Sequence, residues 1–234
     1  MTATSEVLAH LGRGRLLAVL RGSSTHKVVE AGSVLGEQGI DILEVTFTVP
    51  NASDAITQLK ARLPSATIGA GTVTTRDQLE RAQSAGADFV VTPGATPALF
   101  HALAGAEVPS FPGVSTPSDV MLAQEAGAQA VKLFPGSMAG PAGLRALLGP
   151  FPDLQVIATG GVSPENADQW FEAGALAVGA GSDLAPPQAI DSANHQLLRA
   201  RASRWLKATE ANGWANTSSR VAPGTRIHRT HQEG

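Results

Sequence analysis

Short apolar runs rich in β-formers recur along the chain, each followed by a stretch rich in Ala, Leu and Glu. The runs are LLAVLR (16–21), IDILEVTF (40–47), ATIGAG (66–71), DFVVT (88–92), VPSFPG (108–113), QAVKLF (129–134), LQVIAT (154–159) and LAVGAG (176–181). Their spacing, roughly 20–26 residues, is the length of one strand–loop–helix unit. Between them, segments such as THKVVEAGSVLGEQG (25–39) and TTRDQLERAQSAG (74–86) begin at a Ser, Thr or Asp cap and end at Gly, the usual start and stop of a helix. The dipeptide Ala-Gly closes several helices, at Gly86, Gly127 and Gly174, and Ala then leads at once into a strand.

Strands that alternate with helices pair in parallel, because each parallel connection needs a crossover. Eight such units can close on themselves, so the pattern predicts an α/β chain folded as a single (β/α)8 TIM barrel over residues 1–212. The alternative is an open doubly wound sheet. No G-x-G-x-x-G opens a helix after the first strand, which removes the usual signature of that alternative. Segment 187–211 is expected to be a closing helix with Leu197, Leu198, Ala202 and Trp205 on its apolar side. Residues 213–234 lose periodicity and read as an irregular C-terminal extension.

In a barrel the chemistry gathers at the C-terminal ends of the strands. Of the chain's four lysines, only Lys132 sits inside an apolar strand, Ala130-Val131-Lys132-Leu133-Phe134. Alternation puts Ala130, Lys132 and Phe134 on one face and Val131 and Leu133 on the other. The aliphatic pair suits the side under the helices, which points Lys132 into the barrel. An ammonium there is costly to keep, and the neutral amine is the form that attacks a ketone. Glu44, between Leu43 and Val45, is inward by the same argument, with Ile42 and Thr46. The two could be a buried ion pair of purely structural value, or a nucleophilic amine beside a proton shuttle. Thr46 and Thr72 could orient protons, although each is equally an ordinary β-branched strand residue. Arg21 ends the first strand and could hold a carboxylate in a bidentate pair. Gly160-Gly161 and Gly181-Ser182 follow the last two strands, where loop N–H groups form the phosphate site of many barrels. They point to a phosphorylated substrate.

Composition narrows the partners. The 234 residues carry a net charge of −3, which gives no polyelectrolyte signature and disfavours nucleic acid. With no cysteine there is no disulfide framework, no thiolate nucleophile and no Cys-based metal site. The six histidines show no H-x-x-x-H spacing, and no metal site is read. The N-terminal stretch has no apolar run long enough for a signal peptide or a membrane span, so a soluble, cytoplasmic protein is expected.

The segments AVLRG (18–22), LEVTFTVP (43–50), IGAGTV (68–73), VTPG (91–94), FPGVSTPSD (111–119), VKLFPG (131–136), GPFPDLQVIATGGV (149–162) and VGAGSDL (178–184) together closely resemble the class I aldolases for 2-keto-3-deoxy-6-phosphogluconate (KDPG) and 4-hydroxy-2-oxoglutarate (KHG). The resemblance runs in order over about residues 15–208. It implies reversible cleavage of KDPG to pyruvate and glyceraldehyde 3-phosphate, without a cofactor, in a homotrimer. It places the Schiff-base lysine on Lys132 and the general acid/base on Glu44. Contacts to the pyruvyl end fall on Thr72, Pro93 and Phe134, beside Thr46 and Thr159 at neighbouring strand ends. Phosphate contacts fall on Gly160, Gly161, Gly181 and Ser182. Some members carry an arginine where this chain has Thr48, so Arg21 is the expected carboxylate anchor. The related phosphogalactonate aldolases use an arginine at the end of the first strand, and that substrate stays open beside KHG. A sugar-phosphate isomerase or epimerase barrel is the remoter alternative.

Overall fold

The computed structural model describes residues 3–210. A first helix, α1 (Ala3–Gly14), precedes the alternating units. These are β1 (Leu16–Leu20) and α2 (Thr25–Glu37), β2 (Ile42–Thr46) and α3 (Ala52–Arg62), β3 (Thr67–Gly71) and α4 (Arg76–Ser84), and β4 (Val90–Val91) and α5 (Pro97–Ala104). Then come the short β5 (Ser110–Phe111) and β6 (Gly113–Val114), followed by α6 (Pro117–Glu125), β7 (Ala130–Leu133) and α7 (Gly136–Leu148). The last elements are β8 (Gln155–Thr159), α8 (Ala167–Glu172), β9 (Ala177–Ala180), α9 (Pro187–Asp191) and α10 (His195–Glu210).

All pairings are parallel, and β1 lies between β2 and β9. The segments β5 and β6 are two halves of one strand split at Pro112: the first half pairs with β4, the second with β7. The ring therefore closes as a (β/α)8 barrel. Proline has no N–H to give the ladder, but the Pro112 carbonyl still accepts from Lys132 N at 2.9 Å. On the other side the Thr92 hydroxyl accepts from Gly113 N at 3.1 Å, so a side chain replaces the interrupted backbone pairing.

Strand alternation divides the core in two. Leu16, Ala18, Leu20, Leu43, Val45, Val131, Leu133, Val156 and Ala158 face the helices. Leu17, Ile42, Phe89, Val91, Phe111, Ala130, Ile157 and Ala177 fill the barrel interior. Val7 and Leu11 of α1 join this inner cluster, so α1 plugs the N-terminal end. Burying a side chain such as Leu11 is worth about 1.5–3 kcal/mol. His10 pins the plug, with Nδ1 2.8 Å from Thr67 Oγ1 and Nε2 2.8 Å from Asp41 Oδ2. Val7, Leu8 and Leu11 have helical spacing, but the sequence gives no sign that they enter the barrel.

Most strands fall where the apolar runs predict, and Gly86, Gly127 and Gly174 stop their helices at positive φ. The expected single helix over 187–211 is two helices. The chain turns at Ala193, φ 52°, and Asn194 restarts it by accepting from Leu197 N at 3.1 Å. Short polar side chains favour such caps over helix interiors. The extension at 213–234 lies outside the described residues.

Candidate active site

The inner wall is apolar towards α1 and polar towards the C-terminal ends of the strands. Lys132, from β7, and Glu44, from β2, both point inward, as alternation predicts. Their side chains are almost wholly shielded, at 3% and 0% exposure, with Nζ 3.6 Å from Oε1. This exceeds hydrogen-bond length, and neither Glu44 oxygen has a hydrogen-bond partner. Desolvation offsets much of the attraction in a buried ion pair, so the pair is weak evidence of a fold-stabilising bridge. The Phe134 ring lies beside the amine, its centroid 5.2 Å from Nζ.

One inward position above this layer, a cavity of about 370 Å³ opens at the mouth. Arg21, Phe134 and Thr159 line it, with Gly160, Gly161, Gly181 and Ser182 of the two terminal turns. Arg21 stands over the last strand, where a Cβ added to Gly181 would be 3.6 Å from its Nη1. Thr159 is buried beneath the cavity, and its Oγ1 lies where a Cβ on Gly179 would stand. Gly160 and Gly161 both have positive φ, 89° and 77°, a conformation only glycine adopts without strain.

The remaining candidates stand at the same end of the barrel but do not line this cavity. Thr46 is tied into the sheet, donating to Leu20 O at 3.1 Å and lying 2.7 Å from Thr48 Oγ1. Thr72 is half-buried and has φ 54°. For a β-branched residue this costs about 1–3 kcal/mol, strain of the kind that clusters at ligand sites. Pro93 is half-buried at the end of β4, packed so closely on β6 that only glycine fits at Gly113.

The structure adds a residue the sequence did not single out. Asn166 lines the cavity and braces the glycine turn: its Nδ2 donates to Gly161 O at 3.0 Å and its Oδ1 accepts from Ser163 N at 2.9 Å. A larger cavity, about 430 Å³, lies at the opposite end between α1 and α10, lined by His10, Arg13, Asp41 and Leu206. It is remote from the strand ends where the buried amine and carboxylate meet. Among the described residues no three His, Asp or Glu side chains gather where they could hold a metal ion.

Fold and site together define an α/β-barrel enzyme with an interior amine beside a carboxylate and glycine turns at its mouth. The family of KDPG and KHG aldolases matches residues 7–200. The 2-dehydro-3-deoxy-phosphogluconate aldolase of Pseudomonas aeruginosa is 38% identical over 76% of this chain and 81% of its own. The 2-dehydro-3-deoxy-6-phosphogalactonate aldolase of Escherichia coli is 36% identical over 72% and 83%. A crystal structure of KDPG aldolase from Legionella pneumophila, with pyruvate captured as a covalent carbinolamine, superposes with a TM-score of 0.77. It is 31% identical, covering 83% of this chain and 95% of that one. The chain belongs to the KDPG and KHG aldolase family and is an aldehyde-lyase.

Proposed function

We propose that this protein cleaves 2-keto-3-deoxy-6-phosphogluconate reversibly to pyruvate and glyceraldehyde 3-phosphate through a Schiff base on Lys132. The observation that carries this reading is the shielded Lys132–Glu44 pair on the inner wall of the barrel. The neutral amine adds to the C2 ketone, and Glu44 moves protons as the carbinolamine loses water. Cleavage of C3–C4 sends its electron pair through C3 into the iminium, giving an enamine. Glu44, or a water it holds, takes the C4 hydroxyl proton as the aldehyde forms. After glyceraldehyde 3-phosphate leaves, protonation at C3 and hydrolysis release pyruvate and the amine. The gap of 3.6 Å is longer than the roughly 2.6–3.2 Å of direct transfer, and such contacts tighten when substrate is bound. Because the cation exists only on the bound substrate, stabilisation is concentrated at the reacting centre.

In this reading Gly160, Gly161, Gly181 and Ser182 hold the phosphate, while Thr72, Pro93, Phe134 and Thr159 surround the pyruvyl end and the adjoining carbons. Thr46, one inward position above Glu44 and bonded to Leu20 O and Thr48, stands beside the pyruvyl end. Borohydride reduction in the presence of pyruvate should label Lys132 covalently. Absence of labelling would overturn the assignment and favour an isomerase, an epimerase or a silent barrel.

A second reading, cleavage of the phosphogalactonate epimer, is favoured by one observation: Arg21 lines the cavity while position 48 is threonine. Cleavage rates for the two sugar acids and for KHG, measured side by side, decide among them. Among the described residues no helix is long and apolar enough to cross a membrane. We place the enzyme in the cytoplasm as a homotrimer, to be tested by fractionation and by light scattering on the purified full chain.

A further inference from the structure

We propose that Gly71 is a positioning residue for Glu44: it leaves the space in which the carboxylate lies within reach of Lys132. The inward positions of β3 are Gly69 and Gly71, opposite Glu44 and Thr46 in the ladder with β2. Neither glycine has the positive φ that would require glycine for backbone reasons, so the demand is for volume. A Cβ at Gly69 would overlap the Phe89 ring, and a Cβ at Gly71 would overlap the Glu44 carboxylate and its Cγ. The carboxylate thus crosses from β2 over the β3 backbone and occupies the vacated position. Its placement rests on the ion pair with Lys132 and on shape, and the bare backbone of Gly71 supplies part of that shape.

An alanine at 71 keeps the strand, since Gly71 O still accepts from Phe47 N, but it must displace the carboxylate. Acid–base catalysis tolerates little misplacement, and its loss costs about 100-fold or more in rate. The phosphate turns follow β8 and β9, on the other side of β1, and should keep their affinity.

The inference rests on the assignment of Glu44 as proton shuttle, and a double-mutant cycle separates the two. Glu44→Ala, Gly71→Ala and the double variant are compared with wild type for kcat, KM and thermal midpoint. Gly71→Ala is expected to lower kcat about 100-fold with KM changed less than about threefold. In the Glu44→Ala background, Gly71→Ala should lower kcat no further. A double variant showing the product of the two single losses would mean that Gly71 acts independently of Glu44 and would overturn the inference, as would a wild-type kcat in Gly71→Ala. A wild-type kcat in Glu44→Ala overturns the shuttle assignment itself, and the inference with it. Should Gly71→Ala fail to fold, the double variant decides: relieved of the overlap it must fold, and its failure to do so overturns the inference.

Discussion

Asn166 and Gly161 are joined by a hydrogen bond from the side-chain amide to the carbonyl of the second turn glycine. The same amide accepts from Ser163 N. One side chain therefore holds both sides of a turn that two positive-φ glycines would otherwise leave loose, and Gly161 is also closed in by Ser137. Turn geometry is fixed here by the protein's own bonds.

Asn166→Ala should therefore weaken binding of phosphorylated substrate more than it slows chemistry. Loss of two partly exposed hydrogen bonds is worth about 1–2 kcal/mol, or roughly 5–30-fold in KM. The check is steady-state kinetics with the phosphorylated keto acid beside pyruvate trapping, which should be unaffected.

Lys132→Met should abolish borohydride trapping of pyruvate and aldol cleavage alike. It also strands the Glu44 carboxylate in the interior, and breaking a buried pair costs about 3–5 kcal/mol. Adding Glu44→Gln should return part of the lost thermal midpoint while restoring no activity. Calorimetry of the two variants tests this, and retained trapping in the single variant would refute the lysine's role.

Arg21→Ala tests the anchor. The guanidinium lines the cavity, and charge-assisted hydrogen bonds to an anion contribute about 1.5–3 kcal/mol, so KM should rise about 10–100-fold. A rise with unphosphorylated KHG and pyruvate marks a carboxylate contact. A rise confined to phosphorylated substrates marks a contact to the phosphate.

Asp119 gives a pH-dependent contribution to stability. Burial raises its carboxyl, but bonds from Ser115 N, the Thr116 hydroxyl and Thr116 N outweigh that and hold it below the ordinary value of 3.8. The unfolded chain then binds the proton more readily, so the capping box at the start of α6 stabilises fully above about pH 5. It is lost as pH falls through the depressed folded value. Asp119→Asn should cost about 1 kcal/mol near neutrality, with the difference narrowing below about pH 4. Urea unfolding of both proteins across this range measures it.

The barrel and its central pair were legible because period-two alternation acts over the whole length of a strand. Val131 and Leu133 had to face the helices, which left Lys132 inside, and Leu43 and Val45 did the same for Glu44. The features that escaped are local. Val7, Leu8 and Leu11 keep helical spacing, but nothing in that spacing says the helix seats in the end of a barrel. The division at Pro112 depends on Thr92, whose hydroxyl is adjacent only in space. The break at Ala193 follows helix-like sequence on both sides. Asn166 looked like any polar loop residue, since its role lies in two bonds to backbone that sequence does not display.

The α1 plug has a kinetic consequence. With Val7 and Leu11 seated among the interior side chains, the barrel is a blind tube whose traffic passes through one mouth. In the proposed mechanism the Schiff-base end of the substrate lies deeper, at Lys132, and the phosphorylated half lies towards the glycine turns. The proposed Schiff base on Lys132 already makes the aldehyde depart before pyruvate, and the closed N-terminal end gives both the same way out in that order. Product inhibition should accordingly follow a strict order, with pyruvate alone competing against the cleaved substrate for the free enzyme.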